Sequence, residues 1–455
     1  MREIARRQDV ESIAEWLLGE AKRSPDVEGA DVFYVAGVGS SLSLRDGAIE
    51  EDSSGLSCGI GLRSLLSDGR QGVAFVNGLD RRMMDSLAEW SVHNARTSVA
   101  DPHVGLSDLL DRGDAPNLDV EDEAVYALTR EDRLREAHQL HSMVAGKDPR
   151  IVSVRSAFWH DGWGESFYAN TNGSRLWHRG TGVGCGVTLV MQDGEDMEMG
   201  GSGEELRFLE DLRSETVAAL AVEHTARTLG GRPVPTGKYT LVLSREVTAA
   251  LLDELGELFL ASNVQKGRSL LKGKMGLTIA PPCFSIVDDG RLPRQLGTAP
   301  FDGEGVPTGR TLLLDRGCVA AFLYDLRSAR IDGVRSTGNG TRGISSVPDV
   351  GATNLFLLPG TASLESLLRD ARQGLYVTEL LGLHTVDTVS GEFSLGAKGV
   401  VIREGSLSEP FAGVTMAGNL LEFLERIVAV GEDLKFFGST GACSLVVRDV
   451  SVAGS

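Results

Sequence analysis

Apolar and polar positions follow two rhythms along the chain. Residues 9–22, DVESIAEWLLGEAK, carry a helical repeat that places Ile13, Trp16 and Leu17 on one side. From 31 to 78 the rhythm shortens to β-rich runs punctuated by Asp-Gly and Gly-Arg, which predicts a meander of three to five antiparallel strands. Helical spacing resumes at Arg81, in RRMMDSLAEWSVHNARTSV, and again over 130–144, with a polar Asp-, Gly- and Pro-containing loop at 101–123 between them. Three further β-type runs at 151–161, 164–180 and 181–194 have Gly and Asn between them, which read as hairpin turns. The segment 201–230 then predicts a long helix ending at Gly230 and Gly231, and GRPVPTG from Gly231 has linker composition. The expected division is an N-terminal α+β domain over 1–232 and a C-terminal β-rich domain over 233–455.

The second half opens with a strand, KYTLVLS, and passes directly into a helix for which Ser244 is the N-cap; Val247 three residues on rules out a full capping box. On that helix Leu251, Leu255, Leu258 and Phe259 share one broad face, Glu246, Asp253 and Glu257 share the opposite one, and Glu254 lies on the flank. Periodicity alone reads these acids as a solvated surface. Beyond it, short glycine-bounded β runs and one helix at 362–373, capped by Ser363 or Thr361, predict a curled antiparallel sheet or barrel with inserted helices. A dinucleotide fold lacks support, since no G-x-G-x-x-G joins a strand to a helix.

Charge narrows the function. The 455 residues carry a net charge of −19, which repels a nucleic-acid backbone and argues against direct nucleic-acid contact. A local cluster of Lys266, Arg268, Lys272 and Lys274 either meets an anionic ligand or neutralises nearby carboxylates; its glycine spacing is not that of a P-loop. The five cysteines, far apart and without a C-x-x-C pair, read as reduced, mostly buried thiols of a cytoplasmic protein. No stretch approaches the roughly 18 consecutive apolar residues of a membrane span, and the first residues do not read as a signal peptide. His138 and His141 share a helix but lack the glutamate of H-E-x-x-H, and no G-x-S-x-G elbow occurs.

Several ordered motifs carry a resemblance: GIGLRSLLSDGRQGVAFVNG, IVDDG at 286–290, FDGEGVPTGRTLLLDRG at 301–317, YDLRSAR at 324–330, STGNG at 336–340, TNLFLLPG at 353–360, and GLHTVDTVSGEFSLGAKGVVIREG at 382–405. Together with AGNLLEF and IVAVGEDLKFFGS they resemble the TldD/TldE (PmbA) family over nearly the whole chain. The TldD-type members are metalloproteases with H-E-x-x-x-H in the helix after the first strand of the C-terminal domain, and a later cysteine also contributes to the metal. Laid on this chain, that motif reads Asp253, Glu254 and Leu258, so both histidines are replaced and only the glutamate is kept. Glu257 and Cys443 are the remaining donors to weigh there; Glu257 points about 100° from Leu258 around the helix, and Cys443 reads as an orphan thiol.

The resemblance therefore implies a TldE/PmbA-type subunit with no metal and no catalytic residue of its own. It implies zinc in a TldD-type homologous partner, assembly as a heterodimer or with itself as a homodimer, and a peptide or peptide-like substrate cleaved or matured by the complex. TNLFLLPG and 404–419 are expected to line the cleft between chains, with His384 as a possible substrate contact or a structural histidine. An independent hydrolase using other residues, and a scaffold or binding protein, remain the alternatives.

Overall fold

The computed structural model describes residues 4–108 and 118–454, so 109–117 of the expected polar loop lie outside the described residues. The first half is built on one six-stranded sheet: β1 (Val27–Arg45), β2 (Ala48–Leu66), β3 (Gln71–Asn77), β4 (Ile151–Asn170), β5 (Arg175–Asp193) and β6 (Asp196–Leu206). Its order is β3-β2-β1-β4-β5-β6 with every pair antiparallel. Strand alternation sends Val32, Tyr34, Ala36, Leu42 and Leu44 of β1 to the face covered by helices, and Leu17 of the Arg7–Lys22 helix packs there. The helix Arg130–Val144 begins at a capping box, in which Thr129 accepts from the Asp132 backbone and Asp132 accepts in return.

Two expectations for this half need correction. The junctions at 162–163 and 180–181 are not hairpin turns: they lie in mid-strand, with Gly162 opposite Gly182 and Gly164 opposite Gly180, and the turns fall at 171–174 and at Gly194. The helix expected from 201 starts only at Ser214, because 201–206 complete edge strand β6. Glycine is needed in that strand, since a Cβ on Gly200 would sit 2.5 Å from Oγ1 of Thr225 on the covering helix.

The second half holds β7 (Gly237–Leu243), β8 (Ile286–Asp289), β9 (Arg310–Asp315), β10 (Cys318–Val319), β11 (Gly340–Thr341), β12 (Asp349–Val350) and β13 (Leu355–Leu357). It continues with β14 (Gln373–Leu381), β15 (Glu392–Arg403), β16 (Ser406–Asn419), β17 (Ile427–Val430), β18 (Lys435–Phe437), β19 (Thr440–Ala442) and β20 (Leu445–Ala453). Strands β16-β15-β14-β7-β20 form a five-stranded sheet that closes on itself through a β16–β20 pairing, the barrel-like domain expected, with β17 appended to β20. A second sheet, β10-β9-β8-β13-β19-β18, lies beside it. The β7–β14 and β13–β19 pairs run parallel, whereas the other named pairings are antiparallel. Leu243, Leu251, Leu255, Val377, Leu395 and Phe411 belong to one continuous core between the barrel and its helix.

Ion pairs bind the halves together. Arg342 reaches Asp31 at 2.6 Å, Lys435 reaches Glu204 at 2.8 Å and Lys398 reaches Glu198 at 2.7 Å. All five cysteines are free thiols, but only Cys185 and Cys443 are buried and Cys283 is exposed, fewer than expected.

Candidate functional site

The helix that carries the degenerate motif spans Arg245–Glu257, and the Ser244 hydroxyl caps it by accepting from the Val247 backbone. Its apolar face is sealed into the barrel core, and Leu258, immediately after the last turn, is 1% exposed. The Leu258 carbonyl accepts from Ser269 Oγ at 2.7 Å, which fixes the chain as it leaves the helix. Asp253 accepts a hydrogen bond from the Thr440 hydroxyl on β19, and burial raises its pKa against that bond. Glu254 is half-buried; burial, then the neighbouring charges of Asp253 and Glu257, raise its pKa, while His384 opposes them. Glu257 faces outward and takes the side-chain amide of Asn263 at 3.0 Å.

These residues do not fit a catalytic zinc. Such an ion takes three His, Cys, Asp or Glu donors and keeps one position open for water. Leu258 offers no donor and is committed to the core. Cys443 is fully buried, and burial followed by the Asp433 charge pushes its thiol up to about 12. Among the described residues, no three His, Cys, Asp or Glu side chains come together in a metal-holding group.

A larger feature lies beside this helix, one that the sequence reading did not single out. A cleft of about 930 Å³ separates the uncovered face of the first sheet from loops of the second half. His160, Trp163 and His178 line it from β4 and β5, and Phe301, Asn339, Arg342 and Thr353 from the other side. Gly438 and Ser439 also line it, so Thr440, the partner of Asp253, places the degenerate helix at its rim.

Electrostatics make the cleft poor in free cations. Arg207 donates to the carbonyl oxygens of Thr181, Gln295 and Leu296, and burial followed by the Arg207 charge lowers the His178 pKa to about 4, so this imidazole is neutral at pH 7. His160 Nε2 lies 3.7 Å from Glu205 Oε1.

In the cleft within this chain, the segments expected to line a cleft between chains take little part. Only Thr353 of TNLFLLPG reaches the cleft: Leu355, Phe356 and Leu357 are buried, and β13 is paired on both sides, by β8 and by β19. Strand β16 is likewise paired by β15 and β20 and is absent from the cleft lining. β13 therefore offers no free edge at which a peptide adds as a strand, whereas β16 meets β20 only over Thr415–Ala417. His384 is exposed, stands by Glu254, and is not among the lining residues.

Three family models cover most of the chain in order: PmbA/TldA metallopeptidase domain 1 over residues 30–95, the central domain over 119–229 and the C-terminal domain over 236–454. The chain belongs to the PmbA/TldD family. Among relatives within it, a metalloprotease from Methanothermobacter thermautotrophicus is 28% identical over 91% of each chain. Metalloprotease PmbA from Escherichia coli O157:H7 is 26% identical over 94% of this chain and 92% of its own length. A crystal structure from Thermotoga maritima, described as a modulator of a DNA gyrase, superposes with a TM-score of 0.88 at 29% identity, covering 98% of this chain and all of that one.

Proposed function

We propose that this chain is the TldE/PmbA-type, noncatalytic partner of a TldD-type zinc metallopeptidase, and that it completes or stabilises a cytoplasmic complex that cleaves small peptides or matures a peptide-like product. The observation that carries the reading is Leu258, buried in the barrel core at the position where the resemblance calls for the second metal histidine. The helix retains its cap, its packing and Glu254, so the scaffold of the site persists without its donors. We place the division between its two domains near residue 232, between the first sheet's last covering helix, which ends at Thr228, and the barrel strand that starts at Gly237. The net charge of −19 leaves direct contact with DNA phosphates without support, whatever a relative is called.

Co-expression with an H-E-x-x-x-H homologue from the same genome tests the proposal, with size determination and peptide cleavage measured for each chain alone and for the mixture. Cleavage should need both chains, vanish when the partner's metal histidines are changed, and survive Glu254→Gln here. Cleavage by this chain alone at the rate of the mixture, or no association at micromolar concentration, overturns it.

A further inference from the structure

Two sheets end against each other beside the cleft. β6 is the outer strand of the first sheet and β18 the outer strand of the second, and each is paired on one side only, by β5 and by β19. Between them lies a pocket of about 250 Å³ that adjoins the main cleft, because His160, Glu205 and Gly438 line both. Its walls are rings. Phe158 and His160 come from β4, stacked with centroids 5.9 Å apart and planes 13° from parallel; Phe436 and Phe437 come from β18, and all four are half-buried. Strand β5 is cut back to seat the first two: a Cβ on Gly184 would stand 2.5 Å from His160 Cε1, and one on Gly186 would stand 2.5 Å from Phe158 Cε1.

The charges around these rings do not cancel. Glu204 holds Lys435 at 2.8 Å with both side chains largely shielded, and on the same sheet Asp161 holds Arg133 at 2.6 Å and Glu198 holds Lys398 at 2.7 Å. Glu205 has no such partner. Its side chain is 51% exposed, and the one basic group within 4 Å among the described residues is His160 Nε2 at 3.7 Å, beyond hydrogen-bonding reach. One acid is thus left with acceptor oxygens open at the mouth of an aromatic pocket. A carboxylate beside ring faces suits an organic cation, whose N–H groups go to the oxygens while the carbon atoms next to the charge lie against the rings. The chain already shows the ring half of this arrangement, with Lys435 Nζ 5.6 Å from the centre of Phe437.

We propose that this pocket takes a cationic group of a peptide, either its α-ammonium or a lysine or arginine side chain, with the Glu205 carboxylate accepting the N–H groups and Phe158, Phe436 and Phe437 packing beside them. The ligand's being a peptide rests on the reading of the chain as a subunit of a peptide-processing complex. The site itself belongs to this subunit, apart from the partner's metal centre.

The full-length protein, alone, is titrated by calorimetry with three C-terminally amidated heptapeptides of Ala, Gln and Thr: one with a free N-terminus, one N-acetylated, and one N-acetylated with a central Arg. The acetylated neutral peptide should not bind, and whichever cationic peptide does bind names the source of the charge. Glu205→Gln and Phe437→Ala should each weaken that binding at least tenfold, the first by removing a charge-assisted hydrogen bond. Glu15→Gln, an exposed acid outside the pocket, should bind as wild type. Thermal midpoints of the variants confirm that each is folded. Absence of binding by both cationic peptides at millimolar concentration, equal binding of the neutral peptide, binding unchanged in Glu205→Gln, or equal loss in Glu15→Gln overturns the site, as does binding that appears only when the metal-bearing homologue is added. Association and joint cleavage without binding here would remove the pocket alone, and binding here without any association would remove only the partner-subunit reading.

Discussion

Arg342 and Asp31 meet at 2.6 Å across 311 positions of sequence, with both side chains fully shielded from water. Arg63 reaches the same carboxylate through Nε at 3.0 Å, so one acid balances two guanidinium groups where the halves of the molecule join. Burial alone would raise the Asp31 pKa, yet the charges of Arg342 and Arg63 hold it below its ordinary value. Asp31→Ala strands both cations, and breaking a buried pair in this way costs roughly 3–5 kcal/mol. Denaturant unfolding should show a loss of that size; a loss below about 1 kcal/mol, the size of a surface pair, would show that the cluster is not a structural tie.

Glu304 gives this junction a pH dependence. Burial is the largest influence on its carboxyl, and with the charges of Asp302 and Asp325 it outweighs Arg63 and raises the pKa to about 8; Glu304 Oε2 also accepts from the Leu326 backbone at 2.8 Å. The folded protein therefore holds a proton that the unfolded chain releases near the usual glutamate value, and stability falls as pH rises from about 4.5 towards 8. Glu304→Gln should flatten that slope, matching wild type near pH 4.5 and exceeding it at pH 8. Thermal midpoints across this range check it, and parallel pH profiles would contradict it.

Leu258 and His384 should respond in opposite ways. Leu258 is sealed in the core, so Leu258→Ala should cost roughly 2–5 kcal/mol. His384 stands exposed beside Glu254, and His384→Ala should change stability by no more than about 0.5 kcal/mol and raise the Glu254 pKa by removing a favourable charge. Unfolding curves for both variants, with carboxyl titration followed by NMR for Glu254, decide this pair.

Much of the fold was legible because the relevant signals are local. Ser244 and Ser363 announce their helices through the hydroxyl that each presents to a backbone amide, and Leu251 and Leu255 fall to the core by helical spacing. Glycine was the misleading residue. Gly162 looks like a turn in sequence, and only its cross-strand register, opposite Gly182, reveals it as mid-strand. The long-range pairs were equally hidden: nothing near Arg342 in sequence points to Asp31, and nothing in TNLFLLPG distinguishes a strand paired on both sides from one with a free edge.

Zinc content tests the central claim most directly. The protein purified alone, dialysed against a mild chelator and assayed by elemental analysis, should retain substantially less than one zinc per chain, since Leu258 is apolar and, among the described residues, no three His, Cys, Asp or Glu side chains come together to hold a metal. One tightly held zinc per chain, lost on Asp253→Ala or Cys443→Ala, would contradict the noncatalytic reading.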